Sequence, residues 1–228
     1  MKLLEKIRSR GYWEVIVRPS TFLQTKLSDI NSLLPILEKS RVSLRGWDFP
    51  HLDQHQQTQI DLDWIGQEVE WEHHLSVWRF YQSGLFVHIS AMPIDWRDQS
   101  HWWPADANWR PGMLLGAGDT LFTFTEIFEF AARLSLTEAG DDSMHVEIKA
   151  GNIKNRTLYM DDPRKWGFSH SYTASLVEFP IAQDLIRAEL VAKPADYAVE
   201  VANQLFKRFG WQTTIEILKS FQQDALRR

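Results

Sequence analysis

Apolar residues recur every three or four positions in three stretches of the second half of the chain. The longest stretch covers residues 120–136, where leucine, isoleucine, phenylalanine and alanine form one broad face. A second stretch, residues 195–209, follows Pro194 and ends at Gly210, which are residue types typical of a helix start and a helix end. A third covers residues 212–227. The pattern therefore predicts one long, central hydrophobic helix followed by two C-terminal helices.

Two shorter helices are predicted near the N-terminus. Residues 1–9 are amphipathic and are followed by Gly11. Apolar residues from Leu27 to Leu37 also follow helical spacing, although Pro35 restricts or kinks a helix at this place.

Strands are predicted where aromatic and β-branched residues alternate with polar ones. The clearest pattern is a hairpin over residues 73–82 and 85–92, with Ser83-Gly84 as its turn. A two-residue turn would place Arg79 opposite His88. Further predicted strands cover residues 12–18, 42–45, 144–149, 156–160 and 173–179, with 60–64 and 66–71 as one bent or interrupted strand.

The order of these elements predicts an α+β protein. We expect a mixed or antiparallel sheet, the central helix of residues 120–136 and the C-terminal helices in a single domain over 1–228. Residues 185–191 fit either a short helix or a strand. Residues 95–118 are rich in Trp, Asp, Pro and Gly without a regular period, which predicts a long structured loop.

Composition narrows the class of protein. Hydrophobic residues make up 44% and charged residues 24% of the 228 residues, which is typical of a globular protein with a buried core. The net charge of −5 does not support binding to nucleic acid. Cysteine is absent, which excludes disulfides and thiolate chemistry. No apolar run is long enough for a membrane helix, so we expect a soluble, cytoplasmic protein without a membrane partner.

Tryptophan is the unusual feature of the composition. The chain has eleven tryptophans, most of them between Trp47 and Trp109. A tryptophan buries a large ring and carries one N–H group that needs a partner. Such a cluster builds a core, lines a ligand pocket or forms a partner surface, and the sequence alone leaves all three open.

No complete catalytic set is present in the sequence. His51, Asp53 and His55 alternate in a polar loop, a weak pattern for metal ligands that equally fits surface residues. The segment from Gly116 to Thr120 precedes the central helix and resembles part of an anion-binding loop. It lacks the lysine of a P-loop, and Asp119 or Thr120 is better explained as the N-cap of the helix. Catalytic residues and cofactors therefore stay unassigned.

Three blocks of the sequence combine charged and aromatic residues: RGWDFPH at 45–51, WEHH at 71–74 continuing as WRFYQSG at 78–84, and TEIFEFAARL at 125–134. With these blocks, the chain resembles an uncharacterised bacterial protein family, and the likeness extends over nearly the whole chain. In that family, similar segments occur beside Schlafen-like AlbA-2 nucleic-acid-binding domains, so the resemblance implies a sensor or adaptor context without supplying catalytic residues.

The same blocks mix charged and aromatic residues with apolar neighbours. Polar groups buried in this way must be hydrogen-bonded, either in a structural network or in a ligand site. If they form a pocket, the arginines would pair with an anionic group, the aromatic rings would stack on a planar one, and His or Glu would bind polar edges. The predicted ligand-binding residues are Arg45, Trp47, Asp48, His51, Glu72, His73, Arg79, Tyr81 and His88.

Two functional hypotheses follow from the sequence. The first is a non-catalytic module that senses a small anionic or planar ligand or binds a protein, in a regulatory or defence-associated role. The alternative is a metal-assisted hydrolase of nucleotides or nucleic acid that uses histidines and carboxylates between residues 48 and 74. A purely structural subunit, with the tryptophans of residues 95–109 in a partner interface, is a third interpretation.

Overall fold

The protein has an α+β fold, as the sequence pattern predicts. A computed structural model describes residues 1–97, 109–162, 164–165 and 167–226. Six α-helices are present in the described residues: α1 (Leu3–Arg8), α2 (Leu33–Ser40), α3 (Ala117–Ser135), α4 (Arg187–Ala192), α5 (Pro194–Arg208) and α6 (Ile215–Leu226). Nine strands accompany them: β1 (Tyr12–Pro19), β2 (Gln59–Ile60), β3 (Trp64–Trp71), β4 (His74–Tyr81), β5 (Phe86–Ala91), β6 (Leu114–Gly116), β7 (Ser143–Gly151), β8 (Thr157–Tyr159) and β9 (Phe179–Ile186).

Seven of the strands form one sheet in the order β2-β3-β4-β5-β1-β7-β9. Every neighbouring pair in this sheet is antiparallel. Strands β6 and β8 pair in parallel as a separate two-stranded sheet. The sequence predicts a mixed or an antiparallel sheet, and the main sheet is antiparallel.

One face of the main sheet carries the core. On β1, Trp13, Val15 and Val17 point to this inner face and are at most 2% exposed. Because side chains alternate along a strand, Glu14 and the other intervening residues of β1 lie on the outer face. The polar and apolar alternation of the sequence therefore determines which face of the sheet is covered.

Helix α3 is the central helix that the sequence predicts. It packs on the inner face beside β1 and β7, and α5 packs against its opposite side. Helix α2 covers the β3 and β4 end of the same face, whereas α1 packs on the outer face against β4 and β5. The inner face of the sheet is thus closed by two layers of helices.

The hairpin of β4 and β5 differs from its prediction by one residue. Tyr81 and Leu85 close the hairpin, which leaves a three-residue turn that ends in Gly84 at φ +80°. Trp78 consequently lies opposite His88, and Arg79 lies opposite Val87. A shift of one residue moves a side chain to the other face, so the predicted pairing of Arg79 with His88 is wrong.

Three other predictions in the first half of the chain need correction. The predicted strand 42–45 is only an isolated bridge between Val42 and Phe49. The predicted bent strand over 60–71 is instead the hairpin of β2 and β3. Helix α2 starts only at Leu33, so Pro35 lies in its first turn, where the missing N–H group removes no hydrogen bond.

The second half of the chain contains two further differences. The predicted strand 156–160 is present as β8, but it pairs with β6 and not with its neighbour β7. Within the predicted strand 173–179, only two residues pair with another strand. Thr173 forms an isolated bridge, and the last residue of the segment is the first residue of β9. The ambiguous residues 185–191 divide between the end of β9 and the start of α4.

A buried ion pair fixes the segment that follows β5. The side chains of Asp95 and Arg156 are each 1% exposed. Both terminal nitrogens of the Arg156 guanidinium donate to the two carboxylate oxygens of Asp95. The Asp95 carboxylate also accepts the backbone N–H groups of Gly11 (2.9 Å) and Gly112 (2.8 Å). These bonds join the start of β1, a 3-10 helix at Pro93–Trp96 and the segments around β6 and β8.

Part of the predicted loop 95–118 lies outside the described residues. Residues 98–108, with Trp102 and Trp103 of the interface hypothesis, belong to that part. The described remainder ends in β6 and the start of α3. No described helix is long and apolar enough to cross a membrane.

Candidate functional site

A cavity of about 360 Å³ lies against the inner face of the main sheet. Its floor is formed by side chains of β1, β4 and β5, and one wall by the first half of α3. The loop after α2 and the segment after β5 complete the lining. The polar residues among those that line it are Arg45, Asp48, His51, His74, Ser76, His88, Ser90, Arg97, Asp119, Thr123 and Glu126.

Arg45 ties the loop after α2 to helix α3. Its guanidinium donates to both carboxylate oxygens of Glu126 (3.0 and 2.9 Å), to Thr123 Oγ1 (2.9 Å) and to Asp119 Oδ1. Glu126 is 3% exposed, and burial raises its pKa above the ordinary value although Arg45 opposes the shift. Burial alone would lower the pKa of Arg45, but the two carboxylates raise it. Arg45 is therefore a charged group that uses four of its five N–H donors to hold the loop to α3.

Trp47 lies between two histidine rings. Its ring is stacked on His51 at 3.7 Å between centroids and on His74 at 4.1 Å, with interplanar angles of 13° and 11°. Both faces of the indole are thus covered by protein. The stack connects the loop after α2 to the first residue of β4.

Three buried nitrogen atoms that belong to cavity-lining residues have no hydrogen-bond partner among the described residues. They are Trp13 Nε1, His51 Nδ1 and His88 Nδ1. Trp13 and His88 are 2% and 4% exposed. Because buried polar atoms are nearly always hydrogen-bonded, three unpartnered ones in residues that line one cavity are unusual.

Burial keeps the cavity histidines uncharged. It lowers the pKa of His88 to about 3 and that of His51 below its ordinary value. Burial, together with the positive charges of His73, Arg45 and Arg97, lowers the pKa of His74 to about 4. At neutral pH, the imidazoles therefore act as neutral donors or acceptors.

The start of α3 is occupied by a carboxylate from elsewhere in the chain. Asp161 accepts the backbone N–H groups of Gly118 and Asp119, both at 2.7 Å. A Cβ atom on Gly116 would lie 2.3 Å from Asp161 Oδ2, so the glycines make room for this side chain. The predicted N-cap at Asp119 or Thr120 is wrong, because the helix begins at Ala117. The N–H groups at the helix start, which in other proteins can bind a phosphate, are here bound by the carboxylate of Asp161.

The polar loop with His51, Asp53 and His55 does not form a metal site. Asp53 Oδ1 accepts the backbone N–H of His55 at 2.8 Å, and His51 is stacked on Trp47. Throughout the part of the chain that the structure describes, no group of three or more His, Cys, Asp or Glu residues is arranged to hold a metal ion.

The structure brings together five of the nine predicted ligand-binding residues. Arg45, Trp47, Asp48, His51 and His88 line the cavity.

The other four predicted residues lie outside its lining. Glu72 and His73 are the turn between β3 and β4. Arg79 lies on the outer face with its guanidinium 4.3 Å from the ring centroid of Trp64, and Tyr81 is on the same side. We therefore leave Glu72, His73, Arg79 and Tyr81 out of the candidate site.

Several cavity residues were not predicted from the sequence. Trp13, Ser76 and Ser90 sit at inner-face positions of three adjacent strands, so strand pairing alone brings them together. Asp119, Thr123 and Glu126 are spaced by four and three residues on α3, which is the spacing of one helical face. These polar residues form a stripe on an otherwise apolar helix, and that pattern in the sequence could have predicted the polar wall of the cavity.

Comparisons with known proteins do not assign the chain to a family. No family model, curated protein or solved structure matches it. The resemblance to the bacterial family stays a prediction, and the function has to be argued from the cavity.

Proposed function

We propose that the protein is a non-catalytic module that binds a small polar molecule in the cavity between the main sheet and α3. The observation that carries the proposal is the group of unpartnered buried nitrogens of Trp13, His51 and His88 around this cavity. A ligand with hydrogen-bonding atoms would supply the missing partners. The volume of about 360 Å³ is in the range of small-molecule sites, which is roughly 300–1,000 Å³.

The donor and acceptor groups of the cavity favour binding over catalysis. A serine nucleophile needs a base within hydrogen-bond reach. Ser76 and Ser90 line the cavity together with His74 and His88, but no hydrogen bond joins either serine to a histidine among the described residues. The hydrolase alternative requires a metal, and the histidines and carboxylates of residues 48–74 are not grouped to bind one among the described residues.

The sensing role agrees with the way in which the site is built. The loop after α2 reaches the cavity through Arg45 and Trp47, and it is held to α3 and β4 by their contacts. A ligand that contacts these residues would bias the position of the loop. A regulatory or defence-associated role is part of the proposal, and it agrees with the sensor or adaptor context that the family resemblance implies.

The proposal predicts binding that depends on the free volume of the cavity. Ser90→Leu adds an apolar side chain to the floor, and the matched control Ser28→Leu makes the same change at an exposed position outside the cavity. We expect small molecules from a panel of amines, amino acids, carboxylates, nucleosides and sugars to raise the melting temperature of wild type and Ser28→Leu. Ser90→Leu should lose this shift.

Thermal unfolding and calorimetric titration measure the binding, and NMR of the compounds measures turnover. Compounds that bind Ser90→Leu as tightly as wild type would show that the cavity is not the site. Conversion of a bound compound into a product would contradict the non-catalytic role. A panel in which nothing binds would contradict the proposal as a whole.

A further inference from the structure

The wall of the cavity on α3 carries an excess of negative charge. Among the described residues, Arg45 is the one cation on this wall, and it faces the two carboxylates of Glu126 and Asp119. Asp48 also lines the cavity, but it is paired with Arg41 at 3.1 Å. One positive charge against two negative charges leaves one net negative charge at the Arg45, Asp119 and Glu126 group.

Asp119 is the member of this group that faces the open cavity. Both oxygens of Glu126 bond to Arg45, and Glu126 is 3% exposed. Asp119 uses Oδ1 for Arg45, whereas Oδ2 has no hydrogen bond to another described residue. Its side chain is 35% exposed and lines the cavity. A ligand therefore meets one free carboxylate oxygen at this wall.

The histidines of the cavity do not neutralise the charge of this wall. His51, His74 and His88 are uncharged at neutral pH because burial lowers the pKa of each. Arg97 also lines the cavity, but it is exposed and belongs to the segment after β5, and its positive charge acts on His74. The cavity thus has a negative wall on α3 and, at Arg97, an exposed positive rim that balances this charge for the cavity as a whole.

From this arrangement, we propose that the ligand carries a protonated amine, which is seated against Asp119. The inference deepens the proposed function and rests on it. The unpartnered Trp13 Nε1 and His88 Nδ1, which belong to buried residues of the floor, support a polar ligand here as they support the proposed function. An ammonium group would satisfy the free oxygen of Asp119 and cancel the net negative charge of the wall.

The test uses three probes of similar shape that differ in charge: benzylamine, benzyl alcohol and benzoate. Differences in their affinity therefore report the effect of charge and not of size. A single benzene ring fits into a cavity of roughly 150 Å³, so all three are small enough for this site. Calorimetric titration at neutral pH and low ionic strength should rank benzylamine tightest, benzyl alcohol next and benzoate weakest. Ser90→Leu should abolish binding of benzylamine, whereas Ser28→Leu should not.

Two charge variants should change benzylamine binding in opposite directions. Asp119→Asn keeps the shape of the side chain and an acceptor for Arg45, and it should weaken benzylamine about tenfold or more. Arg97→Gln removes the positive rim and should tighten benzylamine by a few-fold, an effect that added salt reduces for wild type. Each variant should change the affinity for uncharged benzyl alcohol by less than it changes the affinity for benzylamine.

The outcomes distinguish this inference from the proposed function. Tighter binding of benzoate than of benzylamine, or an unchanged benzylamine affinity in both charge variants, overturns the amine and leaves the cavity as a binding site. The same holds if panel compounds without an amine bind in the cavity and benzylamine does not. Failure of every probe and every panel compound to bind overturns both proposals.

Discussion

Single buried polar atoms decide how the cavity is interpreted. His88 lies in the core between Phe49, at 4.8 Å, and Phe86, at 6.1 Å between ring centroids, and its Nδ1 has no partner among the described residues. An unpartnered polar atom in such surroundings costs stability. The proposed binding site therefore depends on this nitrogen and the others like it in residues that line the cavity.

Replacing His88 with phenylalanine should stabilise the free protein. His88→Phe removes the unpartnered nitrogen, and the adjacent cavity leaves room for the larger ring, so we expect the free energy of unfolding to rise by about 1 kcal/mol. His55→Phe, a control at an exposed position, should change it by less than about 0.5 kcal/mol. Urea unfolding measures both. The same variant should lose affinity for the ligand.

The pH dependence of this difference has a defined sign. The pKa of His88 is near 6.5 in the unfolded chain and about 3 in the folded protein, so only the unfolded chain gains the proton between these values. Wild type therefore loses stability relative to His88→Phe as the pH falls below 6.5, by about 1.4 kcal/mol per pH unit. A difference that is constant with pH, or a less stable variant at neutral pH, would contradict this account of His88.

At the scale of elements, α3 connects the fold to the site. The sequence predicts this helix because its apolar face is broad and regular. It does not predict the cap, because Asp161 lies more than forty residues further along the chain than Gly118 and Asp119. Local patterns identify an element, whereas the contacts that position it depend on the tertiary fold.

Removing the Asp161 cap should destabilise α3. Asp161→Ala leaves the N–H groups of Gly118 and Asp119 without their acceptor, and we expect a loss of about 2 kcal/mol in the free energy of unfolding. Asp29→Ala removes a comparable but exposed cap, in which Asp29 Oδ1 accepts the N–H of Asn31, and should cost less. Equal losses in the two variants, measured by chemical denaturation, would show that Asp161 has no special role at the helix start.

The hairpin of β4 and β5 shows how a small local error changes a site. The sequence identifies both strands and the turn. The choice between a two-residue and a three-residue turn depends on Gly84 adopting φ +80°, which the pattern leaves open. The resulting one-residue shift moves Arg79 away from His88, to the outer face, and places Trp78 opposite His88 instead.

At the scale of the molecule, the main sheet has two different faces. The inner face carries the hydrophobic core under α2 and α3. The outer face carries charged residues such as Glu14, Lys149 and His145, together with α1 at one end. An antiparallel sheet with one covered face gives clear alternation in the sequence, which is why the fold class was predictable.

The site was less predictable than the fold. Five of the nine predicted residues line the cavity: four come from the block at residues 45–51, which enters it as one segment, and His88 comes from β5. The missing residues come from β1, β4, β5 and α3, which are brought together only by the order of strands and by helix packing. A sequence pattern does not contain that order.

The indole N–H of Trp13 gives the most direct test of the cavity as a ligand site. Two-dimensional 15N NMR resolves the indole N–H groups of tryptophans, and Trp13→Phe identifies this one by the loss of its peak. Titration with the panel compound that most raises the melting temperature should shift the Trp13 peak until it saturates. The peak of Trp64, which lies on the outer face beside Arg79, should stay in place. A Trp13 peak that does not move at saturation, or a Trp64 peak that moves as far, would contradict a ligand in the cavity.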